Sequence, residues 1–369
     1  MPQKLYVGVD HVARKGKKMY FGVENLARKA KKGYIGVGGV ARPFIGGGVE
    51  SFGEITSFSA SAGFGAATHV GSYALFGGGS VGSSEKSAVY AYNESLTMTT
   101  PTALSTARAH LAATHIGSYA LFGGGTNDTT AEDAQVSTVN AYNESLTRTN
   151  LSSALRTAVQ DLAATHIGNY ALFGGGDSSR GYIARVTAYN KSLTRSSPSD
   201  LNKARMDLSA THVGNYALFM GGSASNVDAF NSSLTRSAAT ALDSNALNAA
   251  ATHVGNHAIF AGGGGSSTYL SNAYAYDTSL TRTVIDSLSV ARYSLAATHL
   301  GECALFAGGQ ASGNTNIGTV DCYDASLTRT TMPDLITGRR GLMATTIGKY
   351  AIFGGGYYTA VVEAFVDLS

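Results

Sequence analysis

Tryptophan is absent from the 369-residue sequence, which contains only 5 prolines, 2 cysteines and 14% charged residues. No apolar run approaches the roughly 20 residues of a membrane helix, so we expect no membrane insertion. The first residues lack the apolar core of a signal peptide, so we expect no secretion by that route. The 46 glycines follow no collagen-like period and 44% of residues are hydrophobic, which excludes collagen and disorder. This composition favours β-strands joined by glycine turns.

The net charge of +3 is unevenly distributed along the chain. Residues 1–50 contain ten Lys or Arg and three Asp or Glu, which gives +7. The remaining residues contain seventeen and twenty-one, which gives −4. The sequence therefore predicts a basic N-terminal arm, residues 1–46, before an acidic body, residues 47–369.

The arm carries a 14-residue repeat three times, and the copies open at Lys4, Lys18 and Lys32. Apolar and polar residues alternate around a two-residue turn in each copy, which predicts small β-hairpins. One hairpin buries too little to be stable alone, so we expect the arm to pack on itself or on a partner. The equivalent tyrosines and arginines are the candidate docking residues: Tyr6, Arg14, Tyr20, Arg28, Tyr34 and Arg42.

The body carries a longer repeat seven times, with the motif AATHVGSYALFGGG at residues 66–79 as its type sequence. A second motif, close to AYNESLTRT, follows in each copy and is cut short in the last. One position is a histidine in six copies and a threonine in the seventh: His69, His115, His166, His212, His253, His299 and Thr346.

Each copy predicts four short antiparallel strands, a to d, with tight turns between a and b and between c and d. Seven such units predict an all-β, seven-bladed β-propeller. The last copy lacks strand d, and residues 48–55 align with that missing strand. We therefore expect an N-terminal strand to complete the last blade and close the ring.

The glycine run after strand b, followed by V-x-x-Y-N/D, resembles the kelch repeat over about residues 49–369. Kelch units usually carry tryptophan in strand d, where this chain has one methionine and five arginines. The packing between blades should therefore differ from that of typical kelch proteins.

Length variation between repeats is concentrated in the loop that joins strands b and c. The distance from the last repeat glycine to the alanine of AYN is 12, 16, 12, 7, 12, 13 and 8 residues. Variable loops on a rigid scaffold favour a binding face, although neutral drift in surface loops explains the same pattern. The candidate binding residues in these loops are Asp128, Arg180, Tyr182, Tyr269, Asn314 and Tyr357.

Four arginines lie seven residues before the motif position occupied by histidine or Thr346: Arg108, Arg205, Arg292 and Arg339. At the start of strand a they could form a basic ring at the channel mouth, which suits acidic peptides, acidic glycans or phosphate. The alternative is a structural arginine bonded to loop carbonyls.

The six repeat histidines do not predict a metal site, because one histidine per blade spreads the ligands around a ring. We expect them to be hydrogen-bonded between blades, and we expect no metal and no cofactor. Cys303 and Cys322 lie on neighbouring strands of one unit. The sequence leaves open whether a disulfide joins them. We favour a reduced pair of small core residues.

The arm strings of the form KxYxGVxxVARKxKK resemble short repeats at the ends of structural proteins of bacteriophages and prophages. This resemblance implies a non-enzymatic virion protein of the tail or capsid, made in the bacterial cytoplasm. Its arm would dock to other virion proteins, and its propeller would bind a host-surface glycan or protein. Nucleic-acid binding by the arm is the less favoured alternative. An intracellular kelch-type scaffold that binds a partner protein is the alternative for the whole chain.

Overall fold

The computed structural model describes residues 48–369 except 132 and 266–267, and six short strands of the arm. The arm strands pair antiparallel as three hairpins, as the sequence predicts. They pair in chain order: Gly8–Val9 with Val12–Ala13, Tyr20–Val23 with Leu26–Lys29, and Tyr34–Val37 with Val40–Pro43. Tyr6 and Arg14 of the proposed docking set lie outside the described residues.

The body is a ring of seven four-stranded antiparallel sheets, so the predicted all-β propeller is confirmed. Strand a of every blade lies innermost: Ala66–Val70, Ala112–Ile116, Ala163–Ile167, Ser209–Val213, Ala250–Val254, Ala296–Leu300 and Met343–Ile347. Strand b follows: Tyr73–Gly77, Tyr119–Gly123, Tyr170–Gly174, Tyr216–Met220, His257–Ala261, Cys303–Ala307 and Tyr350–Gly354. Strand c is next: Val89–Asn93, Val139–Asn143, Val186–Asn190, Val227–Asn231, Ala273–Asp277, Val320–Asp324 and Val362–Asp367. Strand d forms the outer edge: Met98–Thr99, Arg148–Asn150, Arg195–Ser196, Arg236–Ala239, Arg282–Ile285, Arg329–Met332 and, in the last blade, Val49–Ile55.

The N-terminal strand closes the ring, as predicted. Val49–Ile55 pairs antiparallel along the whole of Val362–Asp367, from Ile55 opposite Val362 to Val49 opposite Asp367. A register shift opposite Gly53 accommodates one extra residue, and that glycine has a φ of 95°. The last blade therefore takes strands from both ends of the chain, and its sheet has no unfilled position at strand d.

Short turns define one face of the propeller. The a–b turn has a glycine in the left-handed region at its first position in every blade, as Gly71 does with φ 51°. In the c–d turn, the Asn93 carboxamide oxygen accepts hydrogen bonds from the N–H groups of Ser95 and Thr97, at 3.0 and 2.9 Å. Five other blades repeat this Asx cap with Asn143, Asn190, Asn231, Asp277 and Asp324.

The opposite face carries the b–c loops, and four of these fold into two-stranded hairpins. They are Ser80–Val81 with Ser84–Glu85, Asp177–Ser178 with Gly181–Tyr182, Gly264–Gly265 with Thr268–Tyr269, and Gln310–Ala311 with Thr315–Asn316. A 3-10 turn at Ser312–Asn314 lies inside the last of these hairpins. Four of the seven variable loops therefore extend their blades as short hairpins.

The hydrophobic core lies between successive blades. Strands b and c are buried on both faces, whereas strand a alternates between buried and partly exposed side chains. Phe122 of one blade packs against Leu75 and Ala91 of the preceding blade, and equivalent clusters follow around the ring. The strand c tyrosines pack edge to face on strand b phenylalanines, as Tyr142 does on Phe122 at 5.8 Å. Aromatic rings thus fill the space between blades without tryptophan.

Cys303 and Cys322 are joined by a disulfide between strands b and c, with their Cα atoms 5.6 Å apart. Our expectation of a reduced pair is therefore wrong. The two residues sit diagonally across neighbouring strands, since Cys303 pairs with Asp324 and Cys322 with Leu305. Diagonal side chains on one face of an antiparallel pair lie within bonding reach.

Candidate functional site

A closed ring of seven residues surrounds the channel mouth on the b–c loop face. Each member lies five residues before the motif position occupied by histidine or Thr346, where the chain enters strand a. We call this set the mouth ring: Phe64, His110, Asp161, Asp207, Asn248, Ser294 and Gly341. All seven have a left-handed backbone, with φ between 51° and 63°. Six of them are not glycine, and four of these six are histidine, aspartate or asparagine, which enter the left-handed region more readily than other side chains.

Backbone hydrogen bonds join the mouth ring head to tail. The N–H of His110 donates to the carbonyl of Phe64 at 2.7 Å, and the N–H of Asp161 donates to the carbonyl of His110 at 3.0 Å. The pattern continues through every blade, and Phe64 closes it by donating to the carbonyl of Gly341 at 2.8 Å. The left-handed backbone turns each N–H toward the preceding blade, so these bonds hold this conformation in place.

The side chains of the mouth ring differ from blade to blade, and five of them line an open pocket. The pocket has a volume of about 150 Å³. We call it the mouth pocket, and its ring residues are Phe64, His110, Asp161, Asp207 and Asn248. Gly341 lies outside this arc, and a Cβ there would approach the Phe64 ring to 2.9 Å. The phenylalanine of one blade therefore requires a glycine in the preceding blade.

The imidazole of His110 forms an ion pair with Asp161 inside the mouth pocket. The distance from Nδ1 of His110 to Oδ1 of Asp161 is 2.6 Å. Burial disfavours the charged imidazole, but the bond to Asp161 and the charges of Asp161, Asp207 and Glu85 together outweigh burial and raise the pKa of His110. One face of the imidazole stacks on the ring of Phe64, with ring centroids 5.0 Å apart and 9° between the ring planes.

Asp207 carries a carboxyl group in the same pocket that no cation of the described chain pairs with. Burial and the neighbouring charge of Asp161 raise the pKa of Asp207 to about 7. A hydrogen bond with the Asn248 side chain works against this shift. The pocket thus presents a carboxyl group that changes charge near neutral pH, which is typical of functional sites.

The predicted basic ring at the channel mouth is not formed. Arg108, Arg205 and Arg292 have no exposed surface, and Arg339 has 1%. Each guanidinium donates to the carbonyl of a strand b phenylalanine and contacts a polar side chain of strand c. Those partners are Asn140, Asp228, Asp321 and Glu363. The expectation that these arginines face a ligand is therefore wrong, and the structural alternative holds because a buried guanidinium must be paired.

The loop residues of our candidate set are spread over the b–c loop face. Tyr182 is 50% exposed, and Arg180 and Asn314 are also exposed. Asp128 caps its own loop, since its carboxylate accepts bonds from the N–H and hydroxyl of Thr130. These residues do not converge on one point. They surround the mouth rather than enter it.

Two other loop tyrosines of the set lie near the mouth. Tyr269 contacts Tyr293, with ring centroids 5.6 Å apart. Tyr357 packs on Phe64 at 5.8 Å and under the Arg340 guanidinium at 5.0 Å. Tyr357 is thus the one residue of the set that extends the mouth pocket. Its neighbour Tyr358, which the sequence did not single out, is 65% exposed.

Six histidines form an arc around the central axis. We call His69, His115, His166, His212, His253 and His299 the histidine arc. Consecutive ring centroids are 4.0 to 4.5 Å apart, so the imidazoles of neighbouring blades contact ring to ring, where we expected hydrogen bonds. Thr346 fills the seventh place, where its hydroxyl donates to the carbonyl of His299.

Burial, with the neighbouring imidazoles as a second cause, lowers the pKa of several arc members. The pKa falls to about 3 for His115, His166 and His253, and to about 4 for His299. Burial alone lowers the pKa of His69 and His212. The arc is therefore a neutral stack at physiological pH.

The described part of the chain shows neither a cluster of metal ligands nor a membrane-spanning helix. Its His, Cys, Asp and Glu side chains form no group of three or more that could hold a metal ion. It also contains no helix long and apolar enough to span a membrane.

Sequence reasoning missed the mouth ring, although one signal was present. The ring position varies among six residue types, so it does not stand out in repeats that are otherwise alike. That variation in an otherwise regular repeat is itself the signal, since a structural position would keep one residue type.

Solved structures of other proteins share the propeller fold of this chain. No protein-family model matches the sequence, and no curated protein matches it. Among solved structures, 823 chains match, so the fold itself is widely shared. One is the structure of YjhT, with a TM-score of 0.61 and 12% sequence identity, covering 76% of this chain and 99% of that one. At such low identity the likeness establishes the propeller fold alone.

Proposed function

We propose that this protein is a non-enzymatic recognition protein of a phage or prophage particle. Its propeller binds a host-surface glycan or protein through the b–c loop face, and its basic arm attaches it to other virion proteins. The observation that carries the recognition part is the mouth ring. It places varied side chains on a rigid support around an open pocket.

Variation supports recognition on this face. The mouth ring carries six residue types at one repeat position, whereas the left-handed position of the c–d turns is leucine in six blades. The b–c loops differ in length by up to nine residues, whereas the a–b turns are uniform. A selected ligand surface accounts for both features.

The sequence also favours binding over catalysis. It contains no nucleophile elbow, no phosphate loop and no HExxH motif. Attachment by the arm is supported by its concentrated positive charge, its three repeated hairpins and its resemblance to phage repeats. The resemblance to kelch repeats fits the same architecture.

We expect binding to host cells to depend on the b–c loop face. Replacing both exposed tyrosines, Tyr182→Ala with Tyr358→Ala, should weaken binding of the labelled full-length protein at least tenfold. Large exposed aromatic side chains commonly dominate the energetics of an interface. Flow cytometry on the host strain measures this.

The matched control changes the opposite face of the propeller. Asn169→Ala with Asn215→Ala alters two exposed a–b turns and should leave cell binding within twofold of the parent protein. If the turn variant loses binding while the tyrosine variant keeps it, the assignment of the binding face is overturned.

We expect deletion of residues 1–46 to remove the protein from particles while cell binding remains. The cut must stop before Val49, since Val49–Ile55 completes the last blade. Mass spectrometry of purified particles, with circular dichroism of the truncated protein, measures incorporation and folding separately. A folded truncated protein that enters particles as well as the full chain would contradict attachment by the arm.

The exposed loop tyrosines also support a second function, which is binding of a partner protein. Exposed tyrosines on ordered loops also suit a protein partner inside the cell. An intracellular kelch-type scaffold would be absent from purified particles but would retain its partner in the cytoplasm, so the same particle analysis separates the two functions.

A further inference from the structure

We infer that the mouth pocket binds one uncharged, hydroxyl-rich sugar residue. This inference rests on the proposed recognition function and names the ligand chemistry of its central site. It departs from our sequence-based expectation of acidic ligands, because the arginines on which that expectation depended are buried.

The polar arc of the pocket matches the hydrogen-bonding needs of adjacent hydroxyl groups. The Asp161 and Asp207 carboxylates supply acceptors, and the Asn248 amide supplies both donors and an acceptor. A sugar presents hydroxyls on neighbouring carbons, each of which both donates and accepts. Such a ligand can bond to all three half-buried side chains at once, whereas a purely apolar ligand would displace their water without replacing its hydrogen bonds.

The other side of the pocket is aromatic. Phe64 is held parallel to His110 and in contact with Tyr357, so its position is fixed from two sides. The apolar C–H face of a sugar ring packs on an aromatic side chain, while its hydroxyl edge faces polar groups. The pocket offers both surfaces within one cavity.

Charge at the mouth disfavours an acidic sugar. No lysine or arginine is among the described residues that line the pocket. The nearest mouth arginine, Arg340, is bonded to Gln310 at 2.6 Å and lies over Tyr357. The charge of the His110 imidazole is already paired with Asp161. A carboxylated sugar would therefore meet the Asp207 carboxyl with no unpaired cation among the lining residues.

The size of the pocket suits one sugar residue. The volume of about 150 Å³ is below the roughly 300–1,000 Å³ typical of pockets for drug-sized molecules. The closed hydrogen-bonded ring also fixes the pocket walls before binding, which reduces the entropy lost on association.

The test uses full-length protein and single sugars in ligand-observed NMR titrations. The uncharged probes are glucose, galactose and N-acetylglucosamine, and the acidic probes are glucuronic acid and N-acetylneuraminic acid. We expect at least one uncharged sugar to bind, and to bind at least tenfold more tightly than both acids. Tightest binding by an acidic sugar, or binding by none of the five, would overturn the inference.

Variants of the pocket keep the fold because the ring itself accepts the substituted residues. Asp207→Asn introduces the residue type found at Asn248, and Asp161→Ser introduces the type found at Ser294. Each should weaken binding of the uncharged sugar at least tenfold, while Glu144→Gln on the opposite face leaves it unchanged. Equal binding by the parent and both pocket variants would overturn the site.

Failure here is distinguishable from failure of the proposed function. If Tyr182→Ala with Tyr358→Ala abolishes cell binding but no sugar binds, the loop face still recognises the host and the pocket inference is wrong. If a sugar binds and the pocket variants lose it, the inference holds whatever the particle analysis gives.

Discussion

Acidification from pH 8 to pH 5 is expected to destabilise the propeller by several kcal/mol through the histidine arc. The folded-state pKa is about 3 for His115, His166 and His253, against an ordinary value of 6.5. The unfolded chain therefore takes up protons as the pH falls below 6.5, while the folded arc does not. Stability is fully present above pH 6.5 and is lost as the pH falls toward the folded pKa.

The size of this loss follows from the pKa difference. One such histidine loses about 2 kcal/mol of stabilisation between pH 8 and pH 5. The four arc members with a pKa of about 3 or 4 together lose on the order of 8 kcal/mol. Asp207 acts in the opposite direction, since its raised pKa of about 7 returns roughly 2–3 kcal/mol as it takes up a proton.

Substitution in the arc separates these contributions. Thr346 already occupies the seventh position, so His115→Thr, His166→Thr and His253→Thr together copy a side chain that the ring accepts. Urea unfolding at pH 8, 6.5 and 5 should show a smaller pH dependence for this triple variant, by about 2 kcal/mol for each histidine removed. An unchanged pH dependence would mean that the arc does not set acid stability.

Removal of Asp228 is expected to cost about 3–5 kcal/mol, because it leaves a buried arginine without its counter-charge. Arg205 and Asp228 are both fully buried, and Nη2 of Arg205 lies 2.9 Å from Oδ2 of Asp228. Arg236 contacts the other carboxylate oxygen at 2.9 Å, so two guanidinium groups share Asp228. Thermal unfolding of Asp228→Ala at pH 8 measures the loss.

The chain supplies its own compensating pair for this test. The arginine is absent from the first, third and fifth blades. In the first and fifth, alanine and tyrosine take the two positions: Ala62 with Tyr90, and Ala246 with Tyr274. Arg205→Ala combined with Asp228→Tyr should therefore recover most of the stability lost in Asp228→Ala. A double variant no more stable than the single one would show that the pair is not exchangeable between blades.

The architecture was predictable because repetition averages out local ambiguity. Seven copies of the same strand and turn signals fix blade number, strand order and the closing role of Val49–Ile55. The buried arginines were misplaced because we considered them without their partners. The sequence does contain the signal for these pairs. The arginine occurs in the blades whose strand c has an amide or carboxylate at its second position: Arg108, Arg205, Arg292 and Arg339.

The mouth pocket could not be derived in the same way. Its residues are far apart in the sequence, and only the ring geometry brings His110 within 2.6 Å of Asp161. Their left-handed backbone is set by hydrogen bonds to the preceding blade, which no local propensity encodes for histidine or phenylalanine. Tertiary structure therefore determines this site, and the sequence alone predicts only the face on which it lies.

The mouth ring has an electrostatic consequence that differs from that of a helix end. A helix terminus leaves backbone N–H or C=O groups without partners, and these create a fixed partial charge. In the mouth ring the peptide groups follow one another in a circle, and every N–H and every carbonyl has a partner within it. The components of these dipoles along the circle cancel, so the mouth ring lacks the unpartnered groups that give a helix end its partial charge. Exchange of one ring side chain can therefore change the potential at the entrance without breaking the circle of backbone bonds.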